Sequence, residues 1–419
     1  MQQCNEVTFR QAVNKNLFKN SVLSIADGAI YAFAMGMVPL TTVIVYFMSN
    51  YVVSKTVLGI LSTLHLLLMF TPQILMSRRL EQLCSYKPYV LIFGAIYRIL
   101  WLLLGVDVLL FAENRPMLFV VIFYIIFSLI GLFSGFLDIS FWNLIVKIIP
   151  NEYRIKFFSV RSTVSGLCEA MGALVMGLIV KSLPYPYNYG FLFIIVAGIA
   201  FISFILVAYQ YEPESPKKTE QVKWKDYIGK LINVLKNDKN FVNYLFTVIL
   251  IGGFARMAFS FHIVFAKEKL DISVSQVAVS TFILLFSQTI GYFIWGIVGT
   301  KYGPKRTIEL SAIIFIPALL YTYLMSSIPV FYISIALYGL AQSARNVNEN
   351  NVVVNLAGSE QNCASYIGLR NLFGGPFFAF KSAIAGFMFD FLGYEIAFII
   401  SAVCALLGLF ILFWHVKNH

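Results

Sequence analysis

Carboxyl side chains interrupt long apolar stretches at several points in this sequence. Asp27, Asp138 and Glu169 each stand inside such a stretch. An ionised side chain in hydrocarbon costs several kcal/mol, so each one needs a partner or a purpose. Burial in an apolar cavity favours the neutral form of a carboxyl, which makes proton exchange near neutral pH feasible. These three acids are therefore the candidate proton-coupling residues.

Basic side chains also stand inside apolar stretches. Arg98 lies in the first half of the chain, and Arg256 and Lys381 lie in the second half. A buried cation can hold an anionic group of a ligand or pair with an acid. Arg345 and Glu349 are four residues apart on one helical face, so we expect them to neutralise each other. The interior of the first half is predicted to be acidic and that of the second half basic.

Two interpretations of these charges stay open. In the first, acids of the first half and bases of the second half form ion pairs that break and re-form as gates. In the second, Arg256 and Lys381 hold an anionic group of a substrate while one of the acids carries a coupling proton. Local explanations remain for single residues. Asp27 could cap a break in its helix, Arg98 could pair with a neighbouring acid, and Asp107 could lie at the membrane interface.

Polar and aromatic residues of three predicted helices are weaker candidates for substrate contacts. They are Trp142, Asn143, Gln288 and Tyr338. The chain holds 40 Phe and 23 Tyr, so an aromatic ring here is more often part of the core or of the lipid-facing surface.

The stretches that carry these residues are long enough to cross a bilayer. Hydrophobic residues make up 59% of the 419 residues and charged residues only 12%, whereas a soluble protein has about a quarter charged residues. A span needs about 20 residues, and its backbone groups must be satisfied within the segment, so each span is a helix. Twelve spans are predicted, at residues 21–48, 55–76, 88–111, 117–146, 158–182, 189–210, 241–265, 273–299, 305–325, 329–350, 364–390 and 393–415.

One extended polar stretch divides these spans into two sets of six. The predicted parts are an N-terminal segment at 1–20, a six-helix bundle at 21–211, a central loop at 212–240 and a second six-helix bundle at 241–416. The loop sequence KWKDYIGKLINVLKN has apolar residues at helical spacing with lysines between them. It predicts a short amphipathic helix that lies on the membrane surface or tethers the two halves.

Lysine and arginine are unevenly distributed between the two sets of loops. The basic set is 10–19, 78–87, 147–161, 217–239, 301–306 and 417. The other set carries only Lys55, Arg115, Lys181, Lys267 and Lys269. Since cytoplasmic loops are enriched in basic residues, both termini are predicted to be cytoplasmic, in the plasma membrane. Anionic lipid headgroups account for the net charge of +11, so no nucleic-acid partner is predicted.

Residue patterns that hold metals or cofactors are missing from the sequence. The five cysteines lack a CxxC spacing, and the four histidines lack paired metal spacing. There is no GxSxG elbow and no P-loop. We therefore predict no metal, no cofactor and no catalytic residue, which disfavours an integral-membrane transferase and an ATP-driven pump.

The loop between the eighth and ninth spans carries the most specific pattern. Its marker residues are Gly296, Gly299, Lys301, Gly303, Lys305 and Arg306. They resemble the loop signature of the major facilitator superfamily, which is a glycine, an acidic residue, a basic residue, another glycine and a basic pair. Thr300 stands where an aspartate is usual, and Pro304 interrupts the basic pair.

The resemblance implies an all-α membrane protein with twelve transmembrane helices in two pseudo-symmetric six-helix bundles. In this superfamily the first, fourth, seventh and tenth helices line the cavity, which places Asp27, Asp138 and Arg256 near it. The implied function is secondary active transport of a small molecule by alternating access. We expect a monomer among membrane lipids that is coupled to protons and takes a substrate with an anionic group. A lipid or lysolipid flippase and a non-transporting sensor stay open as alternatives.

Three glycines in the fifth span bear on the direction of transport. Gly166, Gly172 and Gly177 resemble the glycine series of antiporters in the superfamily, although the final proline of that series is missing. Small residues at this spacing also serve close helix packing, which is the simpler interpretation. Export is therefore only the preferred direction.

Overall fold

The computed structural model of the chain describes residues 2–80, 84–213, 224–357 and 360–417. All regular secondary structure in these ranges is helical. The start of the predicted central loop, including Lys217, Lys218 and Lys223, lies outside the described residues.

The chain forms two compact units. Unit 1 comprises Met1–Phe47 and Leu64–Glu220, and unit 2 comprises Met48–Thr63 and Gln221–His419. The predicted extents of the two six-helix bundles stay a prediction.

Fifteen α-helices follow one another along the described chain. They are α1 (Gln2–Gly36), α2 (Val45–Met48), α3 (Lys55–Leu80), α4 (Lys87–Phe111), α5 (Pro116–Ile148), α6 (Asn151–Ser182), α7 (Tyr187–Ala208), α8 (Trp224–Asn237), α9 (Lys239–Thr247), α10 (His262–Leu270), α11 (Val274–Tyr302), α12 (Pro304–Tyr323), α13 (Ile328–Ala357), α14 (Glu360–Phe391) and α15 (Gly393–Trp414).

Ten helical stretches among the described residues are long and apolar enough to cross a membrane. The predicted spans 305–325 and 329–350 are not among these ten, yet both are helical, as α12 and α13. Their charged residues lower the mean hydropathy. Lys305, Arg306 and Glu309 lie in the first turns of α12, and Arg345 and Glu349 lie in α13.

In unit 1, α1 packs against α6 and α7, and α4 packs against α5 and α7. Helices α1 and α6 cross closely, as two glycines show. A Cβ at Gly36 would meet the Glu169 carbonyl, and a Cβ at Gly172 would meet that of Phe33. This contact accounts for Gly172 by packing alone. The first predicted span is interrupted after α1, and a π-helical turn at Leu40–Ile44 precedes α2.

In unit 2, α13 packs against both α11 and α12. The predicted seventh span is not one regular helix. It runs from α9 through a π-helical turn at Val248–Gly253 and two 3₁₀ turns, Phe254–Arg256 and Ala258–Phe261, into α10. Adjacent glycines at 252 and 253 weaken regular helix, which is the physical reason for a break at this point.

The amphipathic pattern of the central loop forms α8. Leu231, Val234 and Leu235 pack against a cluster that contains Phe241 and Val416. The apolar face of α8 therefore lies at least partly on protein.

Candidate functional site

Unit 1 contains a cavity of about 180 Å³ between five of its helices. The lining residues come from α1, α4, α5, α6 and α7. They are Asp27, Gly28, Tyr31, Ala32, Val90, Arg98, Leu137, Asp138, Phe141, Trp142, Arg161, Ser165, Phe204 and Val207. Four of the predicted site residues, Asp27, Asp138, Arg98 and Trp142, thus line one space.

Asp27 is the centre of a buried polar network in this cavity. Its Oδ1 accepts a 2.6 Å hydrogen bond from the Ser203 hydroxyl, and its Oδ2 lies 3.5 Å from Nη2 of Arg161. Helix α1 runs on without a break to Gly36, so Asp27 does not cap an interruption of the helix. Its side chain is held by partners from α6 and α7 instead.

Arg98 reaches Asp27 only through a hydroxyl. Its Nη2 donates to Ser203 Oγ at 3.3 Å, and Ser203 in turn donates to Asp27. The other guanidinium nitrogens of Arg98 donate to the carbonyls of Gly94 and Ala200. Arg98 therefore satisfies its hydrogen bonds largely on backbone, and it forms no direct ion pair with a neighbouring acid in the described residues.

Asp138 lines the same cavity without such support. Its side chain is half-buried, and it has no hydrogen-bond or ion-pair partner among the side chains that the structure describes. Tyr31, another lining residue, has its hydroxyl 3.1 Å from that of Tyr97. One carboxyl of the cavity is thus paired, and the other has no partner among the described side chains.

Arg161 is a cavity residue that the sequence did not predict. Its charge is counted with the basic loop although it stands inside the predicted span 158–182. Helix α6 begins at Asn151, directly after the extended Pro150, and so carries Arg161 about three turns into the helix. Its guanidinium lies 5.2 Å from the ring centroid of Phe141 and 5.3 Å from that of Trp142, within the range of cation–π attraction. The helix start after Pro150 is the signal that could have placed it.

Two other predicted residues of unit 1 stand outside the cavity lining. Glu169 is half-buried on α6, and its carboxyl has no partner among the described side chains. Asn143 donates to the Ile139 carbonyl at 2.7 Å, one turn back on its own helix, so its amide is already used locally.

Asp107 lies one turn before the end of α4, so its possible position at the membrane interface stays a prediction. Its side chain is buried, and both carboxyl oxygens lack a hydrogen-bond partner in the described part of the chain.

In unit 2, Arg256 is fully buried at the irregular part of the seventh predicted span. Its Nη1 donates to Gln342 Oε1, and its Nη2 lies 3.4 Å from the Ala341 carbonyl. Its Nε is buried without a partner among the described residues. The guanidinium therefore keeps an unused donor, and Gln342 is a partner that the sequence did not predict.

Positive charge exceeds negative charge around Lys381. The fields of Arg345 and Arg256 both oppose the Lys381 ammonium, which has no ion-pair partner among the described residues. Glu349 is shared by two arginines, with Arg345 Nε at 2.6 Å and Arg370 Nη2 at 2.7 Å. The predicted Arg345–Glu349 pair is confirmed, but Glu349 leaves no charge to neutralise Lys381.

Tyr338 and Gln288 differ in their relation to this cluster. The Tyr338 ring stacks on that of Phe259 with centroids 3.8 Å apart, and it lies 5.9 Å from Phe315, the ring that also faces the Arg256 guanidinium. Gln288 is half-buried on α11 with no described contact to Arg256 or Lys381. The structure brings Tyr338, but not Gln288, to the cationic cluster.

The sequence profile of the Major Facilitator Superfamily matches residues 28–287 and 245–419 of the chain. The chain belongs to the major facilitator superfamily. It is thus a multi-pass integral membrane protein and a secondary transporter rather than an enzyme, as predicted.

Solved structures of other superfamily members share this fold. The nucleoside transporter NupG is 15% identical with a TM-score of 0.70, and the alignment covers 95% of this chain and 99% of that one. The D-xylose-proton symporter is 14% identical with a TM-score of 0.73, covering 96% and 98%. A bacterial homologue of the human lysosomal transporter Spinster is 12% identical with a TM-score of 0.65, covering 97% and 96%. At these identities the likeness concerns the fold alone. No curated protein sequence matches the chain.

The superfamily loop signature adopts a tight connection between α11 and α12. Gly303 has φ of 86°, a region that favours glycine, and its N–H donates to the Gly299 carbonyl at 3.0 Å. Gly296 meets no neighbour within 4 Å of a Cβ position, and the Lys301 side chain is exposed.

Glu309 pairs with the two basic residues that end this signature. Thr300 bonds only to carbonyls of its own helix. Lys305 and Arg306 instead lie 3.4 Å and 2.8 Å from the Glu309 carboxylate, and Lys305 also donates to the Val416 carbonyl at 2.6 Å. Sequence analysis missed Glu309, although its spacing of three and four residues from the basic pair is the helical signal for such contacts.

Side chains suited to a metal ion do not cluster in the described ranges, where no group of three or more His, Cys, Asp and Glu occurs.

Proposed function

We propose that this superfamily member is a proton-coupled secondary transporter for a small molecule that carries an anionic group. The observation that carries the proposal is the Asp138 carboxyl, which lines the unit 1 cavity without a partner beside the paired Asp27. Each part of the proposal rests on charges within one unit.

Asp138 is the first candidate for the coupling proton. An ion pair and a hydrogen bond stabilise the charged form of Asp27, whereas neither supports Asp138. Since no described contact supports a charge on Asp138, its neutral form removes the cost of a buried charge. Glu169 is the second candidate because it too lacks a described partner.

The cationic cluster of unit 2 supports an anionic group on the substrate. Arg256 has an unused Nε donor and Lys381 an unpaired ammonium, and the single acid Glu349 is already shared by Arg345 and Arg370. A carboxylate or phosphate would satisfy these donors with charge-assisted hydrogen bonds. Tyr338 would add an aromatic wall to this site.

Coupling requires that proton and substrate bias the same conformational equilibrium. In alternating access, protonation of Asp138 and binding of the anion would each favour one orientation, and the two effects are reciprocal. The basic loops favour a cytoplasmic position for both termini. A monomer in the plasma membrane that exports its substrate completes the proposal.

The test is a proton-flux assay on purified protein in liposomes under an imposed pH gradient. The panel should contain organic anions, nucleosides, pentoses, peptides and amphiphilic cations. We expect an organic anion to elicit substrate-dependent proton movement. Asp138→Asn should abolish this movement while binding persists. Asp271→Asn is the matched control, since Asp271 is exposed with φ of 48°, a conformation that Asn tolerates.

The other outcomes each decide against part of the proposal. Anion movement without protons would overturn the coupling. If the folded protein moves no soluble compound but scrambles a labelled lysolipid, it is a flippase. Binding without movement of either class would make it a sensor.

A further inference from the structure

An open groove of about 420 Å³ runs along the outer side of unit 2 between α12 and α15. Most of its lining is apolar. The lining residues are Arg306, Glu309, Leu310, Ile313, Leu406, Leu409, Phe410, Phe413 and Trp414. An exposed apolar groove of this kind marks a site of contact with membrane lipid or with another protein.

The charged residues of the groove lie at one end of it. Arg306 is in the first turn of α12, and Trp414 is the last residue of α15, while Ile313 and Leu406 lie further along each helix. From position 306 to 313, or from 414 to 406, a helix advances about 10–12 Å. The hydrocarbon of one leaflet is about 15 Å thick, half of the bilayer core. The groove therefore matches one acyl chain of a single leaflet.

The charge at this end favours a negatively charged headgroup. Two cations, Lys305 and Arg306, share the single carboxylate of Glu309, so one positive charge is in excess. Glu309 is buried, whereas the Arg306 side chain is 55% exposed. Its guanidinium lies 5.8 Å from the ring centroid of Phe413, directly beside the apolar lining.

Trp414 indicates the depth in the membrane at which the charged end of the groove lies. Its ring is exposed beside Arg306, and exposed tryptophans concentrate at the headgroup level of membranes. Along the groove, an apolar channel is thus followed by a cation and then by an interfacial aromatic ring. This order matches the acyl chain, the phosphate and the headgroup boundary of a phospholipid.

We propose that this groove binds an anionic phospholipid, with one acyl chain between α12 and α15 and its phosphate on Arg306. The site is separate from the unit 1 cavity and from the cationic cluster around Lys381. It does not depend on proton coupling or on the identity of the transported substrate. The bound lipid would compete with Glu309 for Arg306, since the two side chains already form an ion pair on α12.

Trp414 provides the readout for the test. The full chain is placed in phosphatidylcholine vesicles in which a fraction of the lipid is either dibrominated phosphatidylglycerol or dibrominated phosphatidylcholine. The signal is the part of the tryptophan fluorescence quenching that disappears in the Trp414→Phe variant. One exposed arginine near a headgroup should make phosphatidylglycerol the preferred lipid by about fivefold.

Two variants and one control separate the contributions. Arg306→Gln should bring the preference close to one, whereas Lys301→Gln, which removes an equal charge from an exposed position of the same loop, should retain it. Ile313→Phe keeps Arg306 but fills the groove, so it should also lower the preference.

Three results would overturn the proposal. The first is equal quenching by both brominated lipids in the unmodified chain. The second is loss of the preference when soluble glycerol phosphate is added, which would assign the site to a free anion. The third is a dimeric protein in which brominated lipid leaves the Trp414 fluorescence unchanged. This result would mean that a second copy covers the groove.

Discussion

The Ser203 hydroxyl donates a 2.6 Å hydrogen bond to Oδ1 of Asp27 and accepts one from Arg98 at 3.3 Å. It is thus the bridge between a buried acid and a buried base that do not otherwise touch.

Ser203→Ala should destabilise unit 1. The substitution leaves one oxygen of the buried Asp27 without a donor, which costs about 1–3 kcal/mol. The apparent Tm in detergent, followed by tryptophan fluorescence, should fall accordingly. Ser334→Ala is the matched control, since that buried hydroxyl donates only to the Phe331 carbonyl of its own helix. Equal losses in both variants would show that the bridge contributes nothing specific.

Arg161 and Asp27 should show strong coupling in a double-mutant cycle. Arg161→Gln leaves the Asp27 carboxylate buried without its cation, and breaking a buried pair on one side costs about 3–5 kcal/mol. Asp27→Asn in the same chain removes the uncompensated charge, so the double variant should recover much of the lost stability. The four apparent unfolding free energies give the coupling energy directly. Additive losses would mean that the 3.5 Å pair is not an energetic partnership.

Replacing Asp107 should increase the stability of the protein. Both of its carboxyl oxygens are buried without a described partner, so Asp107→Asn removes a buried charge and Asp107→Leu removes the polar group altogether. We expect an increase of about 1–3 kcal/mol in unfolding free energy for the leucine variant and unchanged transport activity. A loss of transport with normal folding would instead place Asp107 on the proton path.

Most of the fold could be predicted from the pattern of hydrophobic residues along the sequence. The polar residues of one span could be recognised individually because each interrupts an apolar run. Their partners could not, since Ser203 and Asp27 are 176 positions apart and a single sequence holds no signal that joins them.

Errors in the site came from helix boundaries and local contacts. Arg161 was counted with the basic loop although it lies inside the predicted span 158–182, and α6 in fact starts at Asn151, ten residues before it. Glu309 lies outside the superfamily signature, whose acidic residue belongs at position 300. A helical spacing rule applied to Lys305 and Arg306 would have found it.

Two glycines of the signature loop should respond in opposite directions to the same substitution. Gly303→Ala places a Cβ on a residue with φ of 86°, which costs about 1–3 kcal/mol because side chains rarely adopt that conformation. Gly296→Ala lies inside α11 with open space around its Cβ position, so it should stabilise by about 0.5–1 kcal/mol. Apparent unfolding free energies of the two variants supply the comparison. If Gly303 serves only as a flexible link, both variants would behave alike. Opposite signs would instead show that its positive φ is needed to start α12 directly after α11.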